Sequence, residues 1–444
     1  MKKVSFVKNV YHFFDYLKKF GFSEKLIRRN PIYYSNAKAL FISFKNKGVI
    51  ERKIAIDELL HNSFHVKTPH IKKFDISSGN LKVLPLIDKQ KVQERNKNFL
   101  GTWSCLSIPS GTGGSTGVPL RLYRSYPSIV VEQAAIDSVY QNNGVEPLEA
   151  KIAVLRGDTI KDANDLEAPF WQYSANNRIL NLSSHHLNAE TINHYLDELI
   201  TFGVDVIYAY PSSIEFFAYL MKETGRQVNI PLVVTSSEVF TSQSRLKVSN
   251  ILNCKICDYY GQAERIAFAY SYKVDEYYFL PGYSYIELKY KYNDDIHDYY
   301  EIIGTSLWNN AMSLQRYCTG DLAILPKGLT LLEVDEICYG VKPFFGILGR
   351  TSEYLLSPEG KKLIGINQIP KFINNVVQMQ FIQNTVDQVD ILVLPESNFS
   401  DFDEKCIIKS ARMKIPDSIV LNIIITDTLQ KTEAQKTPLV IRNI

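Results

Sequence analysis

Two hydrophobic periods alternate along residues 101–350. The runs KIAVLRG, VDVIYAYPSS, NIPLVVTSS and KICDYYG are short, apolar and rich in β-branched and aromatic residues. Such runs predict buried strands. Between them, AETINHYLDELITFG and SSIEFFAYLMKETGR repeat their apolar positions at helical spacing and close on glycine. Strand–helix–strand alternation predicts an α/β domain with a mostly parallel sheet and covering helices. The pattern then changes. EYYFLPGYSYIELKY, YYEIIGTSL, LAILPKGLTLLEVDEI and KPFFGILGR, within residues 276–348, read as strand-rich segments parted by turn residues. They predict an antiparallel sheet or distorted barrel. Beyond it, TSEYLLSPEGKKLIG reads as a hairpin turning at Pro358–Gly360. IPKFINNVV reads as a helix, and MQFIQN, DILVLPE and VLNIIIT as strands. Together they make a compact α+β unit of a size that folds alone.

Residues 1–100 read as helical and Lys-rich, ending in KQKVQERNKNF, a solvated helix or loop. The basic start MKKVSFVKNVYHFFDYLKKFGF is broken by Lys8, His12, Asp15 and Lys18, so it reads as an amphipathic first helix ending near Gly21 rather than a signal peptide. The expected organisation is therefore 1–100, 101–350 and 351–444, with the last boundary at 349–352.

Composition narrows the classes. The 444 residues carry 50 Lys+Arg against 47 Asp+Glu, a net +3, which gives no electrostatic case for nucleic acid or an anionic membrane as main partner. Aromatics at 12% argue against long disordered regions. No apolar run is long enough to predict membrane insertion. The six cysteines are sparse, and the Cys254–Cys257 pair lacks a second pair to complete a zinc site, so reduced thiols in the cytoplasm are expected. A homodimer is the default oligomer.

Candidate chemistry begins at CLSIPSGTGGSTGVPLRLYRS. Glycines in residues 110–117 let backbone N–H groups turn toward an anion, and the Ser115 and Thr116 hydroxyls add donors. A Ser/Gly-rich surface turn is the plain alternative. No Gly-Lys-Ser/Thr follows, so this is not a Walker A loop. In CDYYGQAERIAF, Tyr259 and Tyr260 could cover a purine ring and Glu264 could hold Mg²⁺; alone, such a glutamate is more often a surface carboxylate. In LQRYCTGDLAIL, Asp321 has two acceptor oxygens suited to a ribose diol, or forms a turn. In LQKTEAQKTPLVIR, Lys431 and Lys436 sit in a polar loop able to deliver a point charge, or stay solvated.

In order, these segments resemble the motifs of the adenylate-forming (acyl-CoA synthetase-like) superfamily. The closest resemblance is to the phenylacetate–CoA ligase branch and, within it, to the capsular polysaccharide biosynthesis adenylating proteins. Arg156-Gly157, LSSHHLN around His186, YAYPSS, SSEVFT, YGQAER and GRTSEYLLSPEGKKL carry that finer match. The resemblance implies a large αβαβα-layered domain with a strand-rich subdomain and a mobile C-terminal lid hinged near residues 351–353. It implies that Ser115, Thr116 and Gly117 grip the ATP phosphates and that Ser237 and Glu238 line the adenine pocket. Tyr260, with Gly261 and Gln262 beside it, would stack on the base. Glu264 would bind Mg²⁺, and Asp321 and Arg350 would fix the ribose. Lys436 would meet the α-phosphate and the attacking carboxylate, and His186 would face the acceptor or acid pocket. The implied reaction is adenylation of a carboxylic acid with release of pyrophosphate, then transfer to a thiol, CoA foremost. AMP transfer to a non-carboxylate group and non-catalytic ATP binding are the alternatives. Four departures bear on this. Val118 and Leu120 flank Pro119 where a lysine is usual. Ala263 replaces a phosphate-binding Thr, Ser352 a hinge Asp, and Gln435 the glycine before the late lysine.

Overall fold

The computed structural model describes residues 23–444 except 64–67, 75–80, 102–103, 105–106, 112–119, 158–159, 163, 350–353, 361, 364–365, 367–368, 371–372 and 433–435. The amphipathic N-terminal segment, the Gly-rich loop with Ser115, Thr116 and Gly117, Cys105, Arg350 and the hinge lie outside the described residues.

An eight-stranded sheet forms the body. Its order is Glu276–Phe279, Phe268–Lys273, Lys255–Gly261, Leu232–Ser236, Val206–Ala209, Ile152–Leu155, Ile179–Leu182, Trp171–Ser174. The five strands from Lys255–Gly261 to Ile179–Leu182 run parallel; the outer three are antiparallel. Adjacent strand residues point to opposite faces, and the core divides accordingly. Ala153, Leu155, Ile207, Val233 and Ile256 meet helices Ile192–Phe202, Pro211–Thr224 and Ser242–Leu252 through Leu196, Phe217 and Val248. Ile152, Val206, Leu232, Val234 and Cys257 meet helices Pro31–Ser43 and Tyr126–Gln141 through Phe41, Ala134 and Val139. Gly203 and Gly225 end two of these helices at φ 65° and 68°, where a side chain would be strained.

The strand-rich segment is a four-stranded antiparallel sheet of Ser284–Asn293, His297–Ser306, Tyr317–Pro326 and Gly346–Leu348. Two expectations change here. Glu276–Phe279 edges the large sheet instead, and LLEVDEIC is a helix. The Thr330 hydroxyl accepts from Glu333 N while the Glu333 carboxylate accepts from Thr330 N, a capping box that outweighs the β-branched pattern.

The C-terminal unit contains the expected hairpin, Leu355–Leu356 with Lys362–Leu363. Its main sheet runs Val420–Ile425, Gln388–Pro395, Val376–Thr385, Val440–Arg442, packed on helix Asp401–Arg412 through Ile407 and Ala411. Of the helix expected over IPKFINNVV, the described residues show a 3-10 turn at 369–370 and no helix from Ile373 onward. Asn375 sits at φ 55° and the β-branched Val376 and Val377 already open a strand. Among the described residues no helix is long and apolar enough to cross a membrane.

Candidate active site

The C-terminal ends of the parallel strands open into a cleft of 3170 Å³ that the C-terminal unit closes from above. Ser237, Glu238, Tyr260, Gly261, Gln262, Glu264, Asp321 and Lys436 all line it. Open α/β sheets place ligands at this end of their strands. The cleft is several times larger than a drug-sized pocket.

Each wall has a local cause. Strand Leu232–Ser236 ends at Ser237, whose φ of 74° is a left-handed conformation that turns the chain sharply at the cleft floor. The next residue, Glu238, joins the two structural units. Its Oε2 accepts from Ser212 N at 2.9 Å, and its Oε1 accepts from Thr437 N at 3.2 Å. Burial pushes the Glu238 carboxyl up, opposed by those N–H donors and by Lys436.

Strand Lys255–Gly261 delivers the aromatic pair, but not as a pair. Tyr259 points the other way, its ring stacked between Tyr208 (6.2 Å) and Phe268 (5.3 Å). Consecutive strand residues face opposite sides, so only Tyr260 is oriented with Asp321. Tyr260 Oη donates to Asp321 Oδ2 at 2.6 Å and accepts from Gln262 Nε2 at 2.5 Å. Asp321 N donates to Thr319 Oγ1 at 3.0 Å, within strand Tyr317–Pro326 where its register against His297–Ser306 shifts. Glu264 is 4% exposed, and its Oε1 accepts from Tyr317 Oη at 3.0 Å. A single buried carboxylate fits Mg²⁺ that is held otherwise by phosphate oxygens and water. Among the described residues no cluster of three or more His, Cys, Asp and Glu exists to build an all-protein metal cage.

Lys436 enters from the C-terminal unit. Its Nζ donates to the Ser237 carbonyl at 3.2 Å and lies 5.3 Å from the centre of the Tyr210 ring. The same loop sends Lys431 Nζ to the Ser184 carbonyl at 3.3 Å, and burial pulls the Lys431 ammonium down.

His186 stands apart from this group. It is 3% exposed and stacks on Phe170 at 5.3 Å. Its Nδ1 lies 2.7 Å from Ser183 Oγ. It is not among the cleft-lining residues.

Two cleft residues had little signal as site residues in the sequence. Arg124, closing the hairpin of Ile108–Gly111 with Arg121–Arg124, donates to the Ala263 carbonyl at 2.9 Å. Burial and Arg265 bring its pKa down to about 10. An arginine seven residues beyond Gly117, the last glycine of the Gly-rich loop, was the available clue. The other is Arg156, legible as a motif residue but without a role.

The fold with this cleft is that of the adenylate-forming acyl-CoA ligases. 2-Hydroxyisobutyryl-CoA ligase in the postadenylation state with 2-HIB-AMP is similar at a TM-score of 0.58, 11% identity and 89% coverage of each chain. The same ligase with R3-HIB-AMP gives 0.57, at the same identity and coverage. The sequence relationship is more particular. Residues 355–443 match the family model of the CapK C-terminal domain, and the chain is 24% identical to Protein CapK of Staphylococcus aureus over 79% of its length and 76% of that protein's. The resemblance drawn from the motifs is thereby borne out at the level of the superfamily.

Proposed function

We propose that this protein adenylates a carboxylic acid with ATP and passes the acyl group to a thiol, CoA being the first candidate. The observation that carries this reading is one cleft lined by Tyr260, Glu264, Asp321 and Lys436, the last contributed by the C-terminal unit. Relatedness to CapK supports a role in polysaccharide biosynthesis.

In the reaction, a carboxylate oxygen attacks the α-phosphorus in line, its P–O bond forms, and the bond to the pyrophosphate oxygen breaks. Two anions must meet, so the barrier is chiefly electrostatic. Lys436 brings a positive charge to the meeting point, fixed by its bond to the Ser237 carbonyl. Asp321 accepts from the ribose hydroxyls, and Tyr260 holds that carboxylate in place while covering the base. Ser115, Thr116 and Gly117 contribute donors to the phosphates, and Arg350 joins Asp321 at the ribose. Mg²⁺, held by Glu264, would supply charge neutralisation on the phosphates. The second half-reaction needs Lys436 withdrawn. Release of the Thr437–Glu238 and Lys436–Ser237 bonds lets the C-terminal unit turn, and the thiol then attacks the acyl carbon and expels AMP.

The test is acid-dependent exchange of pyrophosphate into ATP, screened over aryl, fatty, amino and sugar acids. Exchange with one class supports the reading; tight ATP binding without exchange for any acid rejects it.

A further inference from the structure

Arg156 follows strand Ile152–Leu155 and stands on the wall of the same cleft. Its guanidinium lies 4.3 Å from the centre of the Tyr208 ring and 4.7 Å from that of Tyr210. Nη1 donates to Tyr208 Oη, and Nη2 donates to Ser237 Oγ at 2.8 Å. Nε is buried and has no hydrogen-bond partner. Among the described residues no carboxylate pairs with this cation. Arg29 and Arg316 show the contrast. Arg29 meets Asp137 at 2.6 and 2.7 Å, and Arg316 meets Glu287 at 3.0 and 2.9 Å, each through two contacts. The phenols offer Arg156 ring faces and a hydrogen-bond acceptor but no formal negative charge. Burial pushes Tyr140 and Tyr259 far above the ordinary phenol range, so both are neutral at neutral pH.

A half-buried cation without a counter-ion is costly unless something supplies one. Hydroxyls gather beside it. Ser236 Oγ lies 3.3 Å from both Ser237 Oγ and Tyr208 Oη, and Tyr208 Oη bonds Tyr259 Oη. A forked guanidinium with hydroxyl donors at its edge matches an oxyanion. The position relative to Lys436 then matters. Ser237 takes Arg156 on its hydroxyl and Lys436 on its carbonyl, so two cations flank one residue of the cleft floor.

From this juxtaposition we infer that the acid carries two anionic groups. The reacting carboxylate lies beside Lys436, and a second group, carboxylate or phosphate, is bound by Arg156 with the Tyr208 and Ser237 hydroxyls. The inference rests on the adenylation reading for the role of Lys436, and it names the substrate class of that site.

The experiment measures binding to the full chain by calorimetry, with paired acids that differ only in the second anion. Butyrate is set against succinate, benzoate against phthalate, and glycerate against 3-phosphoglycerate, so that the carboxylate and phosphate arms are separate. At least one dianion is expected to bind tenfold or more tightly than its partner. Arg156→Gln is expected to lose about 10- to 100-fold of that affinity while ATP affinity changes by less than about threefold, and Arg156→Lys to recover part of it. If monoanions bind as well as their partners, or no acid binds, the inference is overturned. It is equally overturned if Arg156→Gln weakens ATP as much as the dianion, since the cation then serves the nucleotide. The wild-type comparison stands even where a variant fails to fold. Dianion binding without pyrophosphate exchange would keep this inference and reject adenylation instead.

Discussion

Removing the Lys436 ammonium tests the chemistry at its most exposed point. The loop that carries it is held independently of the side chain. Thr437 N bonds Glu238, Lys431 bonds the Ser184 carbonyl, and Gln378 Nε2 donates to the Ser212 carbonyl at 2.5 Å. Lys436→Ala therefore deletes a charge and leaves the docked C-terminal unit in place. The ammonium is preorganised 3.2 Å from a backbone carbonyl, so it needs no reorganisation as charge develops. Loss of one such group costs about 3 kcal/mol at the transition state, roughly 100-fold in rate. The assay is acid-dependent pyrophosphate exchange, with ATP affinity measured separately. Exchange should fall about 100-fold while ATP affinity changes by less than about fivefold. Lys431→Ala, which removes a contact to a loop carbonyl, should cost less than about tenfold. Exchange that survives Lys436→Ala, or that falls equally in both variants, refutes the assignment.

Three further outcomes follow from the geometry. Asp321→Asn weakens the acceptor that Tyr260 supports and should raise the ATP dissociation constant about tenfold by calorimetry. Gly304→Ala would put a Cβ 2.1 Å from the Ile266 carbonyl oxygen, in the segment that carries Glu264. Stability should drop by about 3 kcal/mol in urea melts, with ATP binding impaired. Burial pushes the Glu215 carboxyl up to about 7, against bonds from Ser244 and Gln378. The folded chain then holds that proton more tightly than the unfolded chain, so stability is greatest below the unfolded value of 4.5 and declines as pH rises to about 7. Glu215→Gln should flatten this limb of the denaturation midpoint against pH; an unchanged limb would show that Glu215 is ionised throughout.

Period explains why so much of the body was legible. Val206-Ile207 and Leu232-Val233-Val234 send alternate residues to two different helix layers, and a continuous apolar run is what a doubly covered strand requires. Local capping explains one miss. LLEVDEIC has strand-like residues, but Thr330 and Glu333 close a capping box that a hydrophobic pattern does not register. A backbone detail explains why the helix over IPKFINNVV was expected to run too far, since nothing in the segment announces the left-handed Asn375. Tyr260, Glu264, Asp321 and Lys436 were legible as candidates through their motifs, and all four line one cleft. The distinction between Tyr259 and Tyr260 needed the strand's facing. Arg156 could not be valued from sequence, because its meaning lies in its surroundings: among the described residues no carboxylate pairs with it, which spacing along the chain does not reveal.

The central claim, that a carboxylate takes AMP in this cleft, is tested most directly by identifying the product. Wild-type protein, ATP, Mg²⁺ and an acid active in exchange are mixed without a thiol, then treated with hydroxylamine and read by mass spectrometry. The account predicts a mixed anhydride of the acid and AMP, converted by hydroxylamine to the hydroxamate with release of AMP. An AMP conjugate that resists hydroxylamine, or ADP and phosphate as the products, would contradict it.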